Sequence, residues 1–103
     1  MTDHIKNAPP AVVIRGEANG LGVVRSLAEG GVPTVIVDTT RRHAATWSRW
    51  ARSVIVDQLF GRAFVDSLLK LQRELGGRPV LILTDEMAVD TVSQHREELI
   101  PFY

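Results

Sequence analysis

Four short runs rich in valine and isoleucine punctuate the chain: Ala11 to Arg15 (AVVIR), Thr34 to Asp38 (TVIVD), Ser53 to Asp57 (SVIVD) and Val80 to Thr84 (VLILT). A strand with one wet face alternates apolar and polar residues. These runs are nearly continuous, which is the pattern of strands covered on both faces in a parallel sheet. Parallel neighbours need crossover connections, and the segments between the runs carry helical patterns. Over residues 60–75, Phe64, Leu68, Leu71 and Leu75 share one helical face, and Gly76, Gly77 and Pro79 supply the stop. A first helix over about Leu21 to Glu29 is expected to bury Val24, Leu27 and Ala28 and to end at Gly30 and Gly31. A short helix carrying Trp47 and Trp50 precedes the third strand; these rings either cover the sheet edge or the basic segment, or form an exposed contact surface. Residues 86–98 place Ala88, Val92, His95 and Leu99 on one stripe, which makes His95 a packed or rim residue rather than a ligand. Strict alternation of this kind, with right-handed crossovers, predicts a Rossmann-like three-layer α/β/α domain whose parallel sheet of about four strands has the order 3-2-1-4.

With 103 residues the chain suits one globular domain, expected over 11–103 behind a polar lead-in at 1–10. Basic and acidic side chains number 12 each, so there is no global positive field to attract nucleic acid or an anionic membrane. Arg41, Arg42, Arg49 and Arg52 cluster in the first half and read as a solvated loop and helix face. There is no cysteine, which removes disulfide staples and thiolate-bound metal and suits a cytoplasmic location. His4, His43 and His95 lack metal-ligand spacing, and no apolar stretch is long enough to cross a bilayer.

In a 3-2-1-4 sheet the connections reverse between strands 1 and 4, so the expected crevice lies beyond their carboxyl ends. That placement sets the Gly16 to Gly22 turn opposite Thr84, Asp85 and Glu86. A dinucleotide fingerprint needs Gly-x-Gly-x-x-Gly, and counted from Gly16 the matching positions hold Ala18 and Leu21. A second spacing, Gly16, Gly20 and Gly22, resembles the cofactor turn of short-chain dehydrogenases, with Asp38 placed for a ribose contact. Against an NAD(P)-binding fragment stand Glu17 within the turn and a lone tyrosine at position 103, which cannot form that family's Tyr-x-x-x-Lys pair. A carboxylate about 5 Å from a phosphate oxygen costs on the order of 3 kcal/mol at an effective dielectric near 20. Two readings of the turn remain open: a tight corner where Gly20 and Gly22 let the first helix approach the sheet, or direct ligand contact. Asp85 and Glu86 likewise either cap the last helix or attract an amino group.

The stretch Gly16-Glu17-Ala18-Asn19-Gly20-Leu21-Gly22-Val23-Val24-Arg25-Ser26-Leu27, followed by Gly31-Val32-Pro33 and a strand ending in Asp38, resembles the opening of ATP-grasp carboxylate–amine ligases. So do Ser48-Arg49-Trp50, Gly77-Arg78-Pro79-Val80-Leu81 leading to Thr84-Asp85-Glu86, and His95-Arg96-Glu97-Glu98-Leu99. The resemblance implies an amino-terminal pre-ATP-grasp domain, like that of biotin carboxylase and carbamoyl-phosphate synthetase. It implies that ATP and magnesium are held by later catalytic domains, with which this module would pack as a partner. No cofactor, metal or catalytic residue is then expected in this chain itself. The expected contribution is one wall of a small-molecule acceptor pocket, with Gly16, Asn19, Gly20, Asp85 and Glu86 as the substrate-facing positions. An interaction domain that forms a homodimer through the surface those domains would cover is the other alternative.

Overall fold

The computed structural model describes residues 9–15 and 18–103, with the backbone alone for Ala18, Asn19, Ala44 and Trp47. The lead-in up to residue 8 and the turn residues Gly16 and Glu17 lie outside the described residues. Four strands, β1 (Ala11–Ile14), β2 (Thr34–Asp38), β3 (Arg52–Ile55) and β4 (Val80–Leu83), form one sheet in the order β3-β2-β1-β4. Every pairing is parallel. β1 and β2 lie in the interior of the sheet, and all nine of their residues are buried, as their unbroken apolar runs require.

Helices cover both faces. Helix α1 (Ala18–Glu29) lies on one face, where Val13, Val24, Ile36 and Ala45 form a small buried cluster. Helices α2 (Gly61–Leu75), α3 (Glu86–Gln94) and the single turn α4 (Arg96–Leu99) cover the other face. There Val12, Ile14, Val35 and Val37 pack against Phe64, Val65, Leu68 and Leu71. The helical stripe read from the sequence is therefore the core stripe of α2, widened by Val65. Burying one such side chain is worth roughly 1.5–3 kcal/mol, so this larger face carries most of the hydrophobic stabilisation.

Helix ends follow local chemistry. Beyond α1, Gly31 takes a φ of 76°, and the Val32 amide donates to the Leu27 carbonyl at 2.9 Å, a Schellman-type stop. Beyond α2, Gly76 and Gly77 have φ values of 73° and 63°, and the Gln72 side chain donates to the Gly77 carbonyl.

Two connections differ from the sequence expectation. Between β2 and β3 there is one 3-10 turn, Ala44–Trp47, and Trp50 lies after it in a further turn. The Thr46 hydroxyl donates to the Arg41 and His43 carbonyls, the Arg42 amide donates to the Thr40 hydroxyl, and the Ser53 hydroxyl donates to the Thr46 carbonyl. Such side-chain bonds offer the backbone partners that a longer helix would have to displace. Trp50 is half-exposed, with the Arg49 guanidinium 5.1 Å from its ring centroid.

The last helix is interrupted at His95, whose φ of −111° and ψ of 23° separate α3 from α4. Its ring Nδ1 lies 3.0 Å from the Thr91 carbonyl, which also accepts the His95 amide. The apolar stripe survives the break: Ala88 and Leu99 are buried and Val92 packs beside them.

Candidate functional site

The carboxyl ends of β1, β2 and β4 meet at one rim, and Arg15 organises it. This residue follows β1 and has a φ of 77°, the only positive φ outside glycine among the described residues. A left-handed backbone at a residue bearing a Cβ costs roughly 1–2 kcal/mol and needs compensation. The Arg15 amide donates to the Val37 carbonyl at 2.7 Å, which holds the end of β1 against β2. On the other side, the Thr84 hydroxyl donates to the Ile14 carbonyl at 2.5 Å and to the Arg15 carbonyl at 3.3 Å. The strand end is thus clamped from both neighbours.

Helix α1 closes on the same carbonyl. A Cβ placed on Gly20 would sit 2.3 Å from the Arg15 oxygen. Gly20 is glycine because backbone meets backbone there, which selects close approach as its role in the first turn of α1. Gly22 is different. Beyond its chain neighbours and its own helix backbone, no described atom lies within 4 Å of a Cβ built on it, so the packing role expected for that glycine is corrected to an exposed helical position.

Asp85 is the N-cap of α3: its Oδ2 accepts from the Ala88 amide at 3.1 Å. Its Oδ1 accepts from the Arg15 guanidinium, also at 3.1 Å, with the Asp85 side chain largely buried. Both carboxylate oxygens are therefore engaged, one by a helix end and one by a cation. The sequence reading weighed Asp85 as rim charge without seeing that Arg15, 70 residues away in sequence, partners it. Glu86 follows in the first turn of α3 and is exposed. With Leu83, Thr84, Val89 and Asp90 it lines an open depression of about 390 Å³ beside the carboxyl end of β4.

A second polar pair ends β2. Asp38 is fully buried; its Oδ1 accepts from the Thr39 amide at 2.7 Å, and its Oδ2 lies 2.5 Å from His43 Nδ1. A carboxylate enclosed in this way cannot reach a ribose hydroxyl, which corrects the contact assigned to Asp38 in the dehydrogenase reading. Its observed task is to fix the first residues of the β2–β3 connection and the ring of His43, which is mostly buried at the rim.

Of the five substrate-facing positions, Gly20 and Asp85 converge on Arg15, one through its carbonyl and the other through its side chain. Glu86 stands next to them on α3. Asn19 is in the first turn of α1 with its side chain outside the described residues, as is Gly16 altogether. Arg15 and His43 are the rim residues that sequence reasoning did not assign, and Thr84, placed there only as part of the facing turn, clamps the end of β1. Arg15 had a readable signal: it is a basic residue ending the central strand, opposite an acidic turn. Among the described residues no cluster of histidine and acidic side chains is arranged to hold a metal, and no helix is long and apolar enough to cross a membrane.

Comparison with protein-family models gives no match, and no curated protein matches the chain at a significant level.

Proposed function

We propose that this chain is the substrate-side structural domain of an ATP-dependent carboxylate–amine ligase of the ATP-grasp type, with its chemistry carried by domains outside the sequence described. The reading rests on the resemblance of Gly16 to Leu27 and of Gly77 to Glu86 to that family's opening domain. The observation that supports it most is the use of Gly20. The close approach at Gly20 is made to the Arg15 carbonyl, which Thr84 holds in place, and so has a structural use within the fold. The rim is built as a clamp between β1, α1 and β4, and Asp38, the remaining dinucleotide contact, is enclosed by His43 and Thr39.

In this reading the ligand-facing surface is the depression at Glu86 and Asp90. The carboxylates that line it, Asp85, Glu86 and Asp90, suit an amino group on an acceptor substrate, with Asp85 balanced by Arg15. ATP and magnesium would be bound by the partner domains.

Isothermal titration calorimetry of the chain with ATP and magnesium, and separately with NADH, tests the assignment. No heat of binding is expected up to millimolar ligand. Micromolar affinity for ATP would refute the scaffold role, and micromolar affinity for NADH would restore the dehydrogenase alternative.

A further inference from the structure

We infer that the free edge of β4 is a self-complementary interface through which two copies of this chain join their sheets antiparallel about a two-fold axis at Ile82. This goes beyond the proposed function and does not depend on it. Among the described residues β4 pairs only with β1, and no described strand lies on its other side. The Val80 amide donates to the Pro10 carbonyl, which fixes the phase of the strand: Val80 and Ile82 bond towards β1, and Leu81 and Leu83 present their N–H and C=O groups outward. An edge of this kind templates another strand unless a charge, a proline or a bulge blunts it. The opposite edge is blunted, because β3 carries Arg52, paired with Glu74 at 3.2 Å. From Val80 to Leu83 the β4 edge has no such residue, and Val80 is half-exposed.

The strand selects its own copy by phase and by charge. Antiparallel pairing requires residues with outward groups to face each other. Setting Leu81 opposite the partner's Leu83 satisfies four such hydrogen bonds with full overlap and places Ile82 on the axis. The same operation brings Arg78, whose guanidinium also donates to the Ile100 and Tyr103 carbonyls of its own chain, to the end that carries Glu86 in the other copy. A segment that is basic at one end and acidic at the other complements itself only when antiparallel. The apolar groove of about 400 Å³ beside the edge, which includes Leu81, Leu83, Val92 and Ile100, would run on into that of the second copy.

Light scattering over a concentration series is expected to give twice the monomer mass at high concentration. Arg78→Glu and Glu86→Arg should each weaken the dimer about tenfold, since each turns two attractive contacts repulsive, and the double exchange should recover the original constant. The sequence has no cysteine, so single thiols report the register. Ile82→Cys should cross-link on oxidation, because residues facing each other across the axis in a non-hydrogen-bonded pair lie about 4.5 Å apart at Cα. Val80→Cys should not, because the two copies of that position are about 13 Å apart along the strands. A strict monomer, a dimer indifferent to the charge exchange, or cross-linking through position 80 in preference to 82 would overturn the inference. So would protection of the Leu81 and Leu83 amides in a monomer, which would mean that another segment of the chain covers the edge.

Discussion

The clamp at Arg15 makes two glycines of one helix respond oppositely to the same substitution. In an exposed helix interior, alanine exceeds glycine by about 1 kcal/mol through propensity alone. At Gly22 nothing opposes that gain, because no described atom beyond its chain neighbours and its own helix backbone lies within 4 Å of the new methyl group. Gly22→Ala is therefore expected to stabilise the protein by about 0.5–1 kcal/mol. At Gly20 the methyl carbon would lie 2.3 Å from the Arg15 oxygen, about 0.7 Å inside the 3.0 Å limit that Cβ contacts respect, and 3.3 Å from its carbonyl carbon. Neither atom belongs to a flexible side chain, so relief must come from the backbone. The start of α1 has to lift, or the Arg15 peptide has to rotate away from Thr84. Overpacking of this kind costs about 1–3 kcal/mol, and a lost hydrogen bond about 1 kcal/mol more. After subtracting the propensity gain, Gly20→Ala should destabilise by about 1–3 kcal/mol. For a domain of this size that corresponds to a fall in Tm of roughly 5–20 °C. Urea unfolding followed by circular dichroism, on both variants in parallel, gives the two signs directly. A Gly20→Ala protein as stable as the parent would refute the close approach and reopen the turn as a ligand-contacting element.

Asp85→Ala removes both the α3 cap and the partner of Arg15, and should cost about 1–2 kcal/mol in urea unfolding. Asp85→Asn keeps an acceptor for the Ala88 amide and should cost less than half of that; equal losses would show that the cap contributes little. Burial pushes the Tyr103 phenol above its ordinary value near 10, and its hydroxyl donates to the Leu68 carbonyl. Above that pH the unfolded chain loses the proton while the folded chain keeps it, so the folded state is progressively disfavoured as pH rises. The stability of the parent over Tyr103→Phe should accordingly be greatest at neutral pH and shrink above pH 10. A difference that stays constant from pH 7 to pH 11 would contradict the burial of the phenol.

Much of the fold was legible because burial and periodicity act over short distances. Thr34 to Asp38 was read as a strand with its observed ends, since all five residues are inside and nothing polar blurs the limits before Asp38. The run of glycines at 76 and 77 marked the end of α2 because both positions take positive φ. The order 3-2-1-4 followed from the commonest half-Rossmann arrangement of alternating strands and helices rather than from any single residue. What escaped was set by polar side chains acting on the backbone. Residues 39–48 looked like a charged loop and short helix, but the hydroxyls of Thr40 and Thr46 organise them into a single turn. The stripe through His95 hid the break there, because apolar spacing continues across it while the backbone does not. At the candidate site, Gly20 and Asp85 were picked out, yet the residue that links them was not. The φ of Arg15 leaves no local trace, and its pairing with a residue 70 positions away was legible only as a basic strand end opposite an acidic turn.

The rim also changes the argument about phosphate. From sequence, acidic residues alone seemed to exclude a diphosphate, with Asp85 counted as a full negative charge. Arg15 offsets that charge, so the reading passes from charge to backbone: the Arg15 carbonyl meets Gly20 at a distance that leaves no room for a side chain. This shift makes the left-handed conformation of Arg15 the feature on which the reading turns, and it can be tested apart from the side chain. Arg15→Ala and Arg15→Gly both abolish the contact with Asp85, so their difference isolates the backbone. At the end of an ordinary strand, glycine would be the less stable of the two by about 0.5–1 kcal/mol. At a φ of 77° the preference should reverse, with glycine the more stable by about 1 kcal/mol, because alanine retains the Cβ clash that glycine lacks. Chemical denaturation of the pair decides the matter. If alanine is the more stable, Arg15 is not held left-handed in solution, its carbonyl is not fixed against Gly20, and the rim is free to admit a ligand.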